Sequence, residues 1–420
     1  FTVTVTINPE PVVVAQTQTV CSDEATGVTL GDDADTPTVA SYNITNINSN
    51  GLTASAGTPA TGTGLASSEI SDDAWTNTTA AAVDVIYTVV PVATTTGCEG
   101  DAFTVTVTIN PEPVVVAQTQ TVCSDEATGV TLGDDADTPT VASYNITNIN
   151  SNGLTASAGT PATGTGLASS EISDDAWTNT TAAAVDVIYT VVPVATTTGC
   201  EGDAFTVTVT INPEPVVVAQ TQTVCSDEAT GVTLGDDADT PTVASYNITN
   251  INSNGLTASA GTPATGTGLA SSEISDDAWT NTTAAAVDVI YTVVPVATTT
   301  GCEGDAFTVT VTINPEPVVV AQTQTVCSDE ATGVTLGDDA DTPTVASYNI
   351  TNINSNGLTA SAGTPATGTG LASSEISDDA WTNTTAAAVD VIYTVVPVAT
   401  TTGCEGDAFT VTVTINPEPV

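Results

Sequence analysis

Residues 103–113 read FTVTVTINPEP. Phe103, Val105, Val107 and Ile109 alternate with Thr104, Thr106 and Thr108, the period-two pattern of a half-buried strand made from residues that suit a pleated surface. Asn110, Pro111, Glu112 and Pro113 come next. Proline removes a backbone donor and fixes φ, so the strand must stop there and the connection must be short and stiff. The same segment begins at Phe1, Phe205, Phe307 and Phe409. The chain is therefore a tandem repeat with a period of 102 residues, the distance from Phe1 to Phe103, and with no substitution between copies. That length suits a domain with its own core better than the single supersecondary unit of a solenoid. With boundaries at the proline joints, residues 1–10 read as the last strand of a truncated preceding module. Intact modules then run 11–112, 113–214, 215–316 and 317–418, and 419–420 begin another. Boundaries at each Phe would instead make FTVTVTI a first strand, which the proline pair disfavours. A chain that opens inside a motif without Met, signal peptide or long apolar run is expected to be flanked by further sequence.

Within one module, Val83, Val85, Tyr87 and Val89 alternate with Asp84, Ile86 and Thr88, and Ala40, Tyr42 and Ile44 form a third alternation. Shorter strands are expected at Val12 to Val20, Val28 to Leu30, Leu52 to Ala54 and Leu65 to Trp75, between turn-forming clusters such as GDDADTP, NSNG and TTTGCEGD. Seven short strands in a hundred residues indicate a β-sandwich. The one alanine cluster, Ala80 to Ala82, is too short to hold a helix in water. Val, Ile and Leu together with Tyr42, Trp75, Tyr87 and Phe103 are expected to fill the core.

The chain carries 49 acidic residues against no Lys, Arg or His, a formal charge of -49. Such a chain excludes nucleic acid as a partner, repels itself into a soluble, extended array, and offers trypsin-like proteases no site. Without Lys there is no Schiff base or amine nucleophile, and without His the commonest acid–base group is missing. Two cysteines per module, Cys21 and Cys98, Cys123 and Cys200, Cys225 and Cys302, Cys327 and Cys404, contain no CxxC spacing and point to disulfides in an oxidising compartment. A staple within each module, Cys21 to Cys98, is the expected pairing. It closes a loop that the chain-entropy argument values at about 4–5 kcal/mol. Strict up-and-down alternation of seven strands, however, sets those two turns at opposite ends.

The acidic loops suggest a cation. Asp32, Asp33 and Asp35 share one loop, and Glu99 and Asp101 another that should meet the incoming linker and Glu10. Hard oxygen ligands at a domain joint are what calcium needs, so these residues and their repeat equivalents are the metal candidates, although no EF-hand pattern is present. Asp72 and Asp73 beside Trp75 are a candidate sugar site, with Trp75 filling the core as the plainer reading. Asn43-Ile-Thr45 and Asn77-Thr-Thr79 match the N-glycosylation pattern.

VCSDE near the module start, VIYTVVPVATTTGCEGDAFTVTVTINPEP at its end and the proline joint together resemble the PKD-like and Ig-like tandem repeats of giant secreted cell-surface adhesins of Bacteroidota, across the whole chain. The resemblance implies an all-β chain of Ig-like/PKD-like sandwich modules in an elongated rod. It also implies export across the outer membrane by type 9 secretion, and a role in adhesion or gliding motility. The family pattern has Gly shortly after the first Cys, where this chain has Ser22, Asp23 and Glu24. The expected function is an extracellular structural stalk or filament at the cell surface. Its neighbours would be modules of the same long chain, and it would meet a membrane only through an anchor outside this sequence. The alternative is repeats that themselves bind a glycan or surface ligand by avidity. A glycoside hydrolase built on paired carboxylates is remote, because identical active sites in every module would be unusual and a sandwich of this size leaves little room for a cleft. The chain is read as a non-enzyme with no cofactor beyond calcium.

Overall fold

A computed structural model describes residues 1–31, 35–134, 137–235, 240–337 and 342–418. The chain is all-β, with no helix among the described residues. It divides into two compact units, Phe1–Pro213 and Glu214–Val420. Each unit holds two sandwich modules.

The first module is made of β1 (Gln16–Cys21), β2 (Val39–Asn48), β3 (Thr53–Ala56), β4 (Gly62–Leu65), β5 (Ala74–Thr76), β6 (Val83–Ala93) and β7 (Phe103–Asn110). One sheet has the order β1-β7-β6-β2-β4, and a two-stranded sheet pairs β3 with β5. β6 and β7 form the sheet's centre because both alternate without a break. Val85, Tyr87, Val89, Val105, Val107 and Ile109 are all fully buried, while the intervening threonines face outward. The same strands recur in every period, ending with Phe205–Asn212, Phe307–Asn314 and Phe409–Asn416. The identical segment at the start of the chain forms no strand. Phe1, Val3, Val5 and Ile7 are exposed, since this sequence becomes a strand only where β6 and β1 equivalents flank it.

Two expectations are corrected. Val28 to Leu30 is not a strand: Leu30 is buried and its N–H donates to Ser67 O (2.8 Å). The Leu65 to Trp75 stretch splits into the ends of β4 and β5 around a series of turns. One strand pairing has larger consequences. β1 pairs with β7 in parallel, from Gln16↔Val105 to Cys21↔Asn110, whereas every other strand pair of the module is antiparallel. With β1 and β7 running the same way, the turn after β1 and the turn before β7 lie at opposite ends of the module, the separation that alternation of seven strands implies.

The two layers are joined through the core as well as packed. Trp75 Nε1–H, on the small sheet, donates to Tyr87 Oη on the large one (3.0 Å), and the Tyr87 hydroxyl donates to Asp73 Oδ2 (2.8 Å). Tyr42 and Phe103 meet edge to face at 6.3 Å, a favoured aromatic geometry. Replacing Tyr87, Tyr189, Tyr291 and Tyr393 together by Phe keeps the packing but removes the donor that each buried aspartate uses. Each module should lose about 1–3 kcal/mol, read as an earlier midpoint in urea unfolding; an unchanged midpoint would show the network to be dispensable.

Candidate functional site at the inter-module joint

The parallel pairing of β1 and β7 decides where the cysteines go. Cys21 lies opposite Asn110, at the end of the module from which Pro111, Glu112 and Pro113 lead away. Cys98 precedes Phe103, at the other end. The eight residues of β7, at roughly 3.3 Å each, separate the two by about 23 Å, and a disulfide tolerates a Cα separation no greater than about 7 Å. The expected staple within the module is thus not formed. Cys21 is bonded to Cys200 in the following module, 179 residues away, with Cα atoms 5.6 Å apart. Cys225 is bonded to Cys404 with the same spacing. Cys123 and Cys302 are also disulfide-bonded, while Cys98 and Cys327 are free thiols.

Both faces of the joint are built by local hydrogen bonding. On the exit face Ser22 N–H donates to Asn110 O (2.8 Å), the Cys21 N–H donates to Glu24 Oε2 (3.2 Å), and Asn77 ties the turn down through Ser22 Oγ and Ile109 O. Asp23 takes φ 61°, the left-handed conformation that Gly usually supplies. Its carboxylate accepts from Thr76 Oγ1 (2.6 Å) and Ser22 Oγ (2.9 Å), which offsets the strain of that conformation. On the entry face the turn carrying Cys98 is closed by Ala93 N–H to Cys98 O (2.9 Å) and Gly100 N–H to Pro91 O (2.9 Å). The incoming linker lies so close that a Cβ on Gly100 would stand 2.0 Å from Pro11 O. Only glycine fits there, and the contact recurs between Gly202 and Pro113.

Carboxylates converge where the staple closes. Burial, reinforced by the charges of Asp23, Asp203 and Glu24, pushes the Glu112 carboxyl up to about 7. Glu316 is pushed to about 7 likewise, with Asp227, Asp407 and Glu228 around it. Asp203 is the repeat equivalent of Asp101, so the acidic turn and the linker glutamate do share the joint.

The remaining candidates scatter. Asp32 and Asp33 lie outside the described residues, as do Asp135, Asp236, Asp237, Asp239, Asp338, Asp339 and Asp341. Asp35 is buried near the Tyr42 hydroxyl, both crowding the position a Cβ on Gly31 would take. Glu99 instead accepts from Asn43 Nδ2 (2.9 Å), and Asp101 is exposed. Among the described residues no group of three or more acidic or thiol side chains is arranged to hold a metal. Asp72 is exposed, whereas Asp73 and Trp75 are buried and face Tyr87; the three do not form one sugar site. Burial, with the charges of Asp174 and Glu171 adding to it against the hydrogen bond from Tyr189, pushes Asp175, the equivalent of Asp73, up to about 6. Asp277 and Asp379 are raised to about 6 for the same reasons. Both sequon asparagines are buried and committed. Asn43 binds Glu99 and Gly64 N, and Asn77 binds Ile109 O and Ala81 O.

The sequence pattern of the PKD-like domain matches residues 18–113, 120–215, 222–317 and 324–419. No curated protein matches the chain. Among solved structures, the human desmocollin-1 ectodomain is 12% identical over 95% of this chain and 80% of its own, with a TM-score of 0.23. Drosophila N-cadherin EC1-4 is 9% identical over 96% of this chain and 100% of its own, with a TM-score of 0.21. Scores this low carry no argument about function.

The joint can be tested in two ways. Digestion of the unreduced chain with an Asp- or Glu-specific protease should release Cys21 linked to Cys200 and Cys225 linked to Cys404; a Cys21–Cys98 peptide would refute the geometry. The second test concerns pH. Asp175, Asp277 and Asp379 titrate near 6 and Glu112 and Glu316 near 7 in the folded chain, against 3.8 and 4.5 as ordinary values. The folded chain therefore holds more protons than the unfolded chain between about pH 4 and 7. Its added stability is full below that window and is lost as pH rises through 6 and 7. Tm should be higher at pH 5 than at pH 8 at constant ionic strength, and Glu112→Gln with Glu316→Gln should remove the upper part of that slope.

Proposed function

Because the chain belongs to the PKD-like domain family, we propose that it is the stalk of a large, repetitive extracellular adhesin that holds a binding region away from a cell surface. The observation that carries this reading is the staple between successive modules. Cys21–Cys200 and Cys225–Cys404 each cross one joint, so tension entering one module passes to the next through a covalent clasp in parallel with the linker. A spacer has that requirement and an enzyme does not. The disulfides belong to an oxidising, extracellular setting, and a net charge of -49 keeps neighbouring stalks apart. No described side-chain group in the modules has the arrangement of a catalytic site: the one strongly perturbed aspartate in the core of a module is sealed under tyrosine. Among extracellular adhesins, the secreted surface proteins of Bacteroidota, exported by type 9 secretion and including gliding adhesins, are the source we favour, on the sequence resemblance of the cysteine turns and proline joints.

The test uses cells that produce the whole protein and the purified chain of four modules. Antibody against the repeat should label intact cells, and removing two modules should shorten the reach of the surface layer while leaving attachment strength per molecule unchanged. The purified four-module chain should not bind the target surface or glycans at micromolar concentration. Saturable binding by the isolated repeats would replace the spacer reading with adhesion by avidity.

A further inference from the structure

The clasps change which parts of the chain a pull can reach. Cys21 is bonded to Cys200 and Cys225 to Cys404, so a covalent route from Cys21 to Cys404 crosses the first bond, follows the 25 residues from Cys200 to Cys225 and crosses the second. Residues 22–199 and 226–403 hang off this route as closed loops, each pinned by cysteines whose Cα atoms are 5.6 Å apart. The bonds of Cys123 and Cys302 can shorten such a route and never lengthen it. What lies on the route is already extended. It holds the β7 equivalent of the second module, Phe205–Asn212, and the β1 equivalent of the third, Gln220–Cys225, strands at roughly 3.3 Å per residue. Between them stand Pro213 and Pro215, whose φ is fixed. The turn that carries Cys200 is held by Ala195 N–H to Cys200 O (2.8 Å) and Gly202 N–H to Pro193 O (2.9 Å). Gly202 also lies against the preceding linker, where a Cβ would stand 2.0 Å from Pro113 O. The loops hold the slack. In the second module they contain the β2 and β6 equivalents, Val141–Asn150 and Val185–Ala195, and the buried network of Trp177, Tyr189 and Asp175.

We propose that the clasps make the chain a tether of fixed length, in which tension runs along β1-type and β7-type strands and the linkers between them while the rest of each module lies outside the load. Pulling does work only on points that it moves apart. Cys21 and Cys200 cannot part while their sulfurs are bonded, so unfolding residues 22–199 gives the pulled chain no length, and force does not favour it. Residues 226–403 are sheltered in the same way by Cys225 and Cys404. A module without such a clasp would behave otherwise: unfolding its 102 residues would release roughly 350 Å of chain. The sandwich cores therefore survive a pull without having to resist it. Constant reach under changing load is what a stalk needs. That use rests on the stalk reading, whereas the length limit rests on the clasps alone.

The purified four-module chain is held by handles ligated enzymatically to its two ends and stretched as a single molecule, after the Cys98 and Cys327 thiols are alkylated to stop thiol–disulfide exchange. With the clasps intact the limiting extension should be about 220 Å, because only residues outside 22–199 and 226–403 count, at roughly 3.5 Å each. No unfolding step should add to it. Reduction with the dithiol dithiothreitol should raise the limit to about 1,450 Å, that of all 420 residues. One dithiol thiolate attacks a clasp sulfur and expels the other cysteine as thiolate. The second thiolate closes on the mixed disulfide and expels the remaining cysteine, so each clasp yields two protein thiols and one cyclic disulfide. An unreduced limit near 400 Å, roughly the length that staples within the modules would allow, overturns the proposal. So does any longer unreduced limit, or one that reduction leaves unchanged. Surface labelling and glycan binding would be untouched by such a failure, so the stalk reading stands or falls separately.

Discussion

The parallel pairing of β1 with β7 is the constraint on which the rest of this structure depends. An antiparallel first strand would bring Cys21 to the same end as Cys98, and each module would close on itself. Parallel pairing places Cys21 beside Asn110, next to the proline linker, and leaves it within reach only of the module beyond that linker. One strand's direction thus turns a disulfide that would have stabilised single domains into one that couples neighbouring domains. The stabilisation it brings goes to the joint, in parallel with the Pro-Glu-Pro connection.

A second constraint is chemical. With no Lys, Arg or His, no carboxylate in this chain can find a cationic side chain. Hydroxyls and amides take that role: Thr108 donates to Asp84, Thr76 to Asp23, Asn43 to Glu99 and Tyr87 to Asp73. Neutral donors are weaker than charged ones, so the buried or crowded members, Asp175 and Glu112 among them, are held above the ordinary carboxylate range instead of being stabilised as anions. The abundance of Thr and Asn has a physical role here beyond strand propensity.

Much of the module was legible from side-chain periodicity. β6 and β7 alternate so cleanly that their buried faces, Val85, Tyr87 and Val89 with Val105, Val107 and Ile109, are those the pattern selects. The tight turn at Asn50 and Gly51, both at positive φ and closed by Leu52 N–H to Ser49 O (3.0 Å), was likewise readable from NSNG. Less legible were segments whose conformation depends on a partner. Val28 to Leu30 is apolar enough for a strand, yet it packs as irregular chain, with Leu30 N–H bonded to Ser67 O and the preceding Gly27 N–H to Ser71 O. Asp72 and Asp73 look like a pair, but one faces solvent and the other Tyr87, so adjacency in the chain did not make them a site.

The sequence by itself determined the all-β class, the repeat, the proline joints, the oxidised setting and the central strands, all of which rest on composition and local alternation. Only the tertiary structure decided strand direction, and with it the cysteine partners. Periodicity records which side of a strand is buried, and it is the same whether the strand runs up or down beside its neighbour. The two directions differ only in backbone hydrogen bonds to a segment nearly a whole module away, and no window of sequence contains both partners of that choice.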